Sequence, residues 1–127
     1  MMNQQAKDEV LATYTAFLTA FRANDLPAID QLFQYPFAYV GNGQTSLLET
    51  FPIKPAELMA AKQWHDTKDF SCEVVFASAD KAHLIVRRAT RVRSDGSPIE
   101  TVSAFYALTR TASGWKFFAL SDITVPA

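Results

Sequence analysis

Few side chains in this chain pair a reactive group with a position where the group could be used. Asp122, Arg87 and Tyr106 lie on long segments that alternate apolar and polar residues, and His65 sits in the run Trp64-His65-Asp66. A carboxylate held away from bulk water can serve as a base or acceptor, while a neighbouring arginine clamps a carbonyl or an anion. A buried phenol such as Tyr106 can donate to a ligand carbonyl, and a histidine, with an unperturbed pKa of about 6.5, can act as acid or base. Plainer readings stand beside these. Arg87 and Asp122 can be a structural ion pair, Tyr106 a core tyrosine tied to backbone or water, and His65 a helix C-terminal cap favoured by the dipole.

Other chemistries find no support in the residues. The two histidines, His65 and His83, are eighteen positions apart, and no metal-ligand spacing occurs. Among only four glycines there is neither a Gly-x-Gly-x-x-Gly run nor a phosphate loop, so no cofactor is expected. The single Cys72 reads as a buried thiol and points to a reducing compartment. A balance of 12 basic against 13 acidic residues gives no electrostatic reason to expect nucleic acid or an anionic membrane. No apolar stretch is long enough to span a bilayer, and the polar N-terminus lacks the apolar region of a signal peptide, so a cytoplasmic protein is expected.

Positioning those groups requires a core, and 49% hydrophobic residues with sixteen aromatics supply one within a single domain over residues 1–127. Val10, Tyr14, Phe17 and Phe21 repeat at helical spacing, and Asn24 suits a left-handed C-cap. Asp25 can cap a short helix around Pro27. A strand is expected at 35–40, stopped by Gly41-Asn42-Gly43, and a brief one at 45–49. A third helix begins near Pro55 and reaches about Trp64. Four period-2 segments follow at 68–78, 81–93, 98–110 and 115–125, separated by short turns. Helices first and strands later make an α+β fold.

The turns predict a register. If Asp95-Gly96 is a two-residue hairpin loop, Arg91 faces Glu100, Arg87 faces Ala104 and Ile85 faces Tyr106. A tight turn at Ala79-Asp80 sets Cys72 opposite Arg87. A three-residue loop at 112–114 sets Ala104 beside Asp122. Arg87 and Asp122 then share the helix-facing side across Ala104, together with Phe70, Val74, Phe76, His83, Ile85, Ala89, Val102, Phe118 and Leu120. The Arg91–Glu100 pair reads as a cross-strand contact near the sheet end, worth under about 1 kcal/mol if exposed. The other face carries Val75, Leu84, Val86, Phe105 and Phe117 at its centre. That apolar patch predicts a partner surface, with a homodimer through the outer sheet face as the expected occupant.

Three stretches carry a family resemblance: Phe17-Leu-Thr-Ala-Phe-Arg-Ala-Asn-Asp-Leu26, Ala28-Ile-Asp-Gln-Leu-Phe33 and Ser113-Gly-Trp-Lys-Phe117. With the element order, they make the whole chain resemble the nuclear transport factor 2-like superfamily, which includes ketosteroid isomerase, scytalone dehydratase and SnoaL-like cyclases. The resemblance implies a cone: a strongly bent, mostly antiparallel sheet with three helices from the N-terminal half on its concave face. It also implies that Tyr14 and Phe17 wall a pocket and that Trp64 and His65 stand at its mouth. The isomerase's helix-one tyrosine would fall near Phe17, its carboxylate base near Gly41 and its second carboxylate near Tyr106, so its catalytic carboxylates are not matched. The dehydratase pattern of two pocket histidines is not matched either. The expected function is binding of a small hydrophobic or carbonyl compound, or cofactor-free proton transfer on it. Asp122, Tyr106 and His65 would act on it, and Arg87, Tyr14, Phe17, Trp64, Phe70 and Ala104 would bind it. The alternative is a non-catalytic interaction or accessory domain whose own side chains fill the cone.

Overall fold

The computed structural model describes residues 2–127. Helix α1 (Gln4–Arg22) starts where the Asn3 side chain accepts a hydrogen bond from the Ala6 N–H, and it buries Val10, Tyr14, Phe17 and Phe21 along one face. Asn24, at φ 54°, turns the chain out of that helix, and Asp25 caps α2 (Leu26–Gln31) through the Ala28 N–H. Strands β1 (Phe33–Gly41) and β2 (Gln44–Leu48) stand where two strands are expected, and they pair as an antiparallel hairpin. Helix α3 (Pro55–Lys62) opens on proline and closes on Gln63 in the left-handed region. The remaining strands are β3 (Asp66–Ala77), β4 (Lys81–Val92), β5 (Pro98–Thr111) and β6 (Gly114–Pro126).

These six strands form one curled sheet in the order β2-β1-β6-β5-β4-β3, antiparallel except where β1 runs parallel to β6. Helix α1 lies against β3, β4 and β6. The α+β, cone-shaped, strongly bent architecture expected from the sequence is the one observed. Phe17 stands at the centre of the core: the rings of Phe21, Phe33, Phe51 and Phe117 all lie within 5.7 Å of its own, centre to centre. No helix among the described residues is long and apolar enough to cross a membrane.

The predicted register holds in part. Arg91 pairs with Glu100, Ala104 with Asp122 and Tyr106 with Leu120. However, β4 carries a bulge between Val86 and Ala89, so Val86, and not Arg87, stands opposite Ala104. An extra residue in one strand inverts which face every residue beyond it occupies. Leu84 and Val86 are therefore buried, while His83 and Ile85 are only half-buried. Cys72 correspondingly pairs with Val86, and it is exposed rather than buried. A second shift between Ala107 and Leu108 puts Phe117 in the core in place of Phe118, and an irregularity in β3 leaves Phe76 half exposed. The β4–β5 turn is also longer than two residues: Arg93 N–H reaches the Ser97 carbonyl around Gly96, whose φ is 85°.

Candidate functional site

Aromatic packing fills the closed end of the cone and leaves a cavity of about 60 Å³ between α1 and the sheet. Its floor is short-chained, with Val86, Ala89, Val102 and Ala104 from β4 and β5. Tyr14 and Phe17 from α1 and Phe70 from β3 form walls, and half-buried Leu18 and Ile53 line it as well. Four polar side chains line it from the strands: Thr67, Arg91, Tyr106 and Asp122.

Asp122 reaches the cavity because it alternates with Leu120 on the inner face of β6. Its Oδ1 accepts a 2.6 Å hydrogen bond from the Tyr39 hydroxyl. Tyr39 comes from β1, the strand beside β6, where it pairs with Leu120. Burial and this donation to a carboxylate push the Tyr39 phenol up to about 12, so it stays a donor at neutral pH. The ring of Tyr39 occupies the space where a side chain at Gly41 would stand. A Cβ there would lie 2.7 Å from its Cε1 and 3.2 Å from its hydroxyl oxygen. The position where an isomerase-type base would fall is thus empty because a tyrosine two residues earlier on the same strand face fills it.

The Tyr106 and Tyr14 hydroxyls form no hydrogen bond among the described residues, and neither is sealed from open space. Burial raises both phenols, with the nearby Asp122 charge adding to the effect at Tyr106, so each is a neutral donor facing the cavity.

Arg91 is held by Glu100, which is only 4% exposed. Glu100 accepts from Arg91 Nη1 at 2.5 Å through one oxygen and from Lys62 Nζ at 2.6 Å through the other, which ties α3 to the sheet. Burial acts to raise the Glu100 carboxyl, but the hydrogen bonds and charges of Lys62 and Arg91 outweigh it and hold the group below the usual carboxylate range. The pair read from sequence as an ordinary cross-strand contact is a buried network at the edge of the cavity.

Of the residues expected at the site, Asp122, Tyr106, Tyr14, Phe17, Phe70 and Ala104 line the cavity. Arg87 does not. The bulge turns its side chain, 60% exposed, to the outer face, where it pairs with Glu73 at 2.9 Å. His65 is exposed and away from the lining, its N–H bonded to the Val92 carbonyl. Trp64 is buried against Phe21, with its Nε1 donating to Thr67, and it packs beneath the cavity wall rather than at a mouth. Sequence reasoning missed Tyr39 and undervalued Arg91. The signal for Arg91 was its alternation with Ala89 on the face they share with their partners Val102 and Glu100; nothing local marked Tyr39, which depends on the parallel β1–β6 pairing. Among the described residues no cluster of histidine, cysteine, aspartate or glutamate is placed to hold a metal ion.

Solved structures share this architecture at low sequence identity. A cystatin-like fold protein from Burkholderia xenovorans LB400 aligns with a TM-score of 0.70 and 17% identity, covering 98% of this chain and 95% of its own. An NTF2-like protein of unknown function from Pseudomonas putida KT2440 gives 0.70 and 12%, covering 96% and 88%. The hexachlorocyclohexane dehydrochlorinase LinA-type3 from Novosphingobium barchaimii LL02 gives 0.61 and 17%, covering 97% and 90%. No curated protein matches the chain in sequence. A family model described as NTF2-like protein (DUF6841) matches residues 8–123, nearly the whole cone and every residue that lines its cavity, and the chain belongs to that family.

Proposed function

We propose that the protein binds a small carbonyl compound in this cavity and moves a proton on it without a cofactor. One observation carries the reading: a carboxylate and an unpartnered phenol, Asp122 and Tyr106, face the same small, partly open cavity. Tyr39 occupies Asp122 Oδ1 and so orients the carboxylate, leaving Oδ2 for the substrate. In the reaction, Oδ2 takes the proton from the carbon next to the carbonyl. The C–H electron pair becomes the C=C bond of an enolate, and the negative charge that develops on oxygen meets the Tyr106 hydroxyl. Return of the proton to the same or a neighbouring carbon regenerates the carboxylate. A cavity of about 60 Å³ lies well below the roughly 300–1,000 Å³ of usual ligand pockets, which favours substrates of few heavy atoms over steroids. The neighbour named as a dehydrochlorinase fits the same type of chemistry, since loss of hydrogen chloride also begins at a C–H bond.

Deuterium uptake from D2O into small ketones tests the reading. The wild-type protein should accelerate uptake above buffer, and Asp122→Asn should remove about 10²- to 10⁴-fold of that acceleration. Equal rates for the two proteins on every ketone would refute it.

A second reading concerns the outer face of the sheet, where Phe76, Phe105, Ile123 and Val125 are 40–66% exposed. We propose that a second copy of the chain covers them, since a self-complementary two-fold contact is the commonest way to bury one apolar sheet face.

A further inference from the structure

We propose that the ligand carries a carboxylate received by the free edge of Arg91, which makes the substrate a small keto acid; the keto part of this assignment rests on the proton-transfer reading above. The Arg91 side chain is only 13% exposed, yet a single one of its nitrogens, Nη1, is hydrogen-bonded among the described residues, to Glu100. No buried polar atom there lacks both a partner and open space, so Nε and Nη2 keep contact with open space, and Arg91 lines the cavity. Those two nitrogens form the flat side of the guanidinium, whose parallel N–H groups match the two oxygens of a carboxylate. Glu100 fixes the opposite corner of the group and so presents that side in one orientation.

Charge gives the cavity a direction. At the Arg91 end, Lys62 and Arg91 face the single negative charge of Glu100, which leaves one positive charge in surplus. At the other end stands Asp122. The two side chains rise from β4 and β6, two strand spacings apart and offset by four residues along β5, where Arg91 pairs with Glu100 and Asp122 with Ala104, over the low floor of Val102 and Ala104. A keto-acid anion lying between them places its carboxylate on the cationic end. Its acidic C–H then points toward Asp122 and its ketone oxygen lies within reach of the unpartnered phenols. A neutral dicarbonyl of the same shape leaves the guanidinium edge matched by one oxygen at most.

Calorimetric titration with three probes tests this: acetoacetate, pentane-2,4-dione, in which an acetyl group replaces the carboxylate, and β-alanine, which keeps the carboxylate but puts an ammonium at the far end. Acetoacetate should bind wild type on the order of ten- to a hundredfold tighter than the dione, the range expected for a charge-assisted bidentate contact. Arg91→Lys, which keeps the charge beside Glu100 but lacks the flat edge, should lose that preference. The Arg91 Nε resonance of wild type should shift with acetoacetate and not with the dione, a readout that does not require the variant to fold. Equal affinity for acetoacetate and the dione, or a preference that survives in Arg91→Lys, overturns the carboxylate site; tighter binding of β-alanine overturns the keto-acid assignment. Deuterium exchange reports separately. Exchange of neutral ketones with no carboxylate preference leaves the catalytic reading standing without this site, and Arg91-dependent binding without exchange leaves the site standing without catalysis.

Discussion

Gly41→Ala is the most informative substitution, because it reaches Asp122 only through Tyr39. The new Cβ would lie 2.7 Å from the Tyr39 Cε1, roughly 0.8 Å inside an ordinary carbon contact. The backbone at Gly41 is not in the left-handed region, so the strand accepts alanine and the ring must yield. A retreat of that size at Cε1 swings the hydroxyl by about 1 Å and takes the 2.6 Å bond to Asp122 to the limit of hydrogen bonding. Loss of a half-exposed, charge-assisted bond costs about 1.5 kcal/mol, and the stiffer unfolded chain returns about 0.5 kcal/mol, so stability should fall by only about 1 kcal/mol. The clearer signature is the phenol. Released from its carboxylate, Tyr39 should titrate back from about 12 toward the ordinary value near 10, visible as an extra tyrosinate in an ultraviolet titration. Ketone exchange should fall together with it, and Gly41→Ala should add nothing in a Tyr39→Phe background. If the alanine variant keeps both the high tyrosine titration and the wild-type exchange rate, the positioning role assigned to Tyr39 is refuted.

Two further outcomes follow from the same geometry. Glu100→Gln removes the charge shared by Lys62 and Arg91 and should cost about 2 kcal/mol near neutral pH by chemical denaturation. Because the folded carboxyl is held below its unfolded value of about 4.3, its contribution is complete above that value and is lost as pH falls through the folded one. The stability gap between the two proteins should therefore stay constant above about pH 5 and narrow in acid; a gap that does not change with pH contradicts the shift. On the outer face, light scattering should give twice the chain mass for wild type and the single mass for Phe105→Asp, and a monomeric wild type at high concentration excludes the proposed dimer.

The elements themselves were legible because their signals are local. Asp25 and Pro55 start helices through contacts made within three or four residues, and Gly41-Asn42-Gly43 turns one strand into the next. Long period-2 runs placed β3 to β6 to within a few residues, but the turns themselves differ by one residue: the β4–β5 turn is longer than the two residues expected and the β5–β6 turn, Ala112 and Ser113, is shorter than the expected loop at 112–114. The Arg91–Glu100 and Ala104–Asp122 pairings come out as expected because a register shift beside each turn offsets the difference. What failed was parity. The bulge at Arg87 and Arg88 has no local mark, since both are arginines in a run that alternates acceptably in either phase.

By itself, then, the sequence determined the α+β element order and which side chains of β5, and of β6 from Leu120 onward, turn inward, because hydrophobic period and turn chemistry act over a few residues; the cone followed from the family resemblance. Only the tertiary structure decided which arginine meets the cavity, why Gly41 must lack a side chain and how Tyr39 reaches Asp122. Those depend on one inserted residue in β4 and on a parallel pairing of strands more than eighty residues apart, where sheet curvature and packing, rather than any neighbour in the chain, select the geometry.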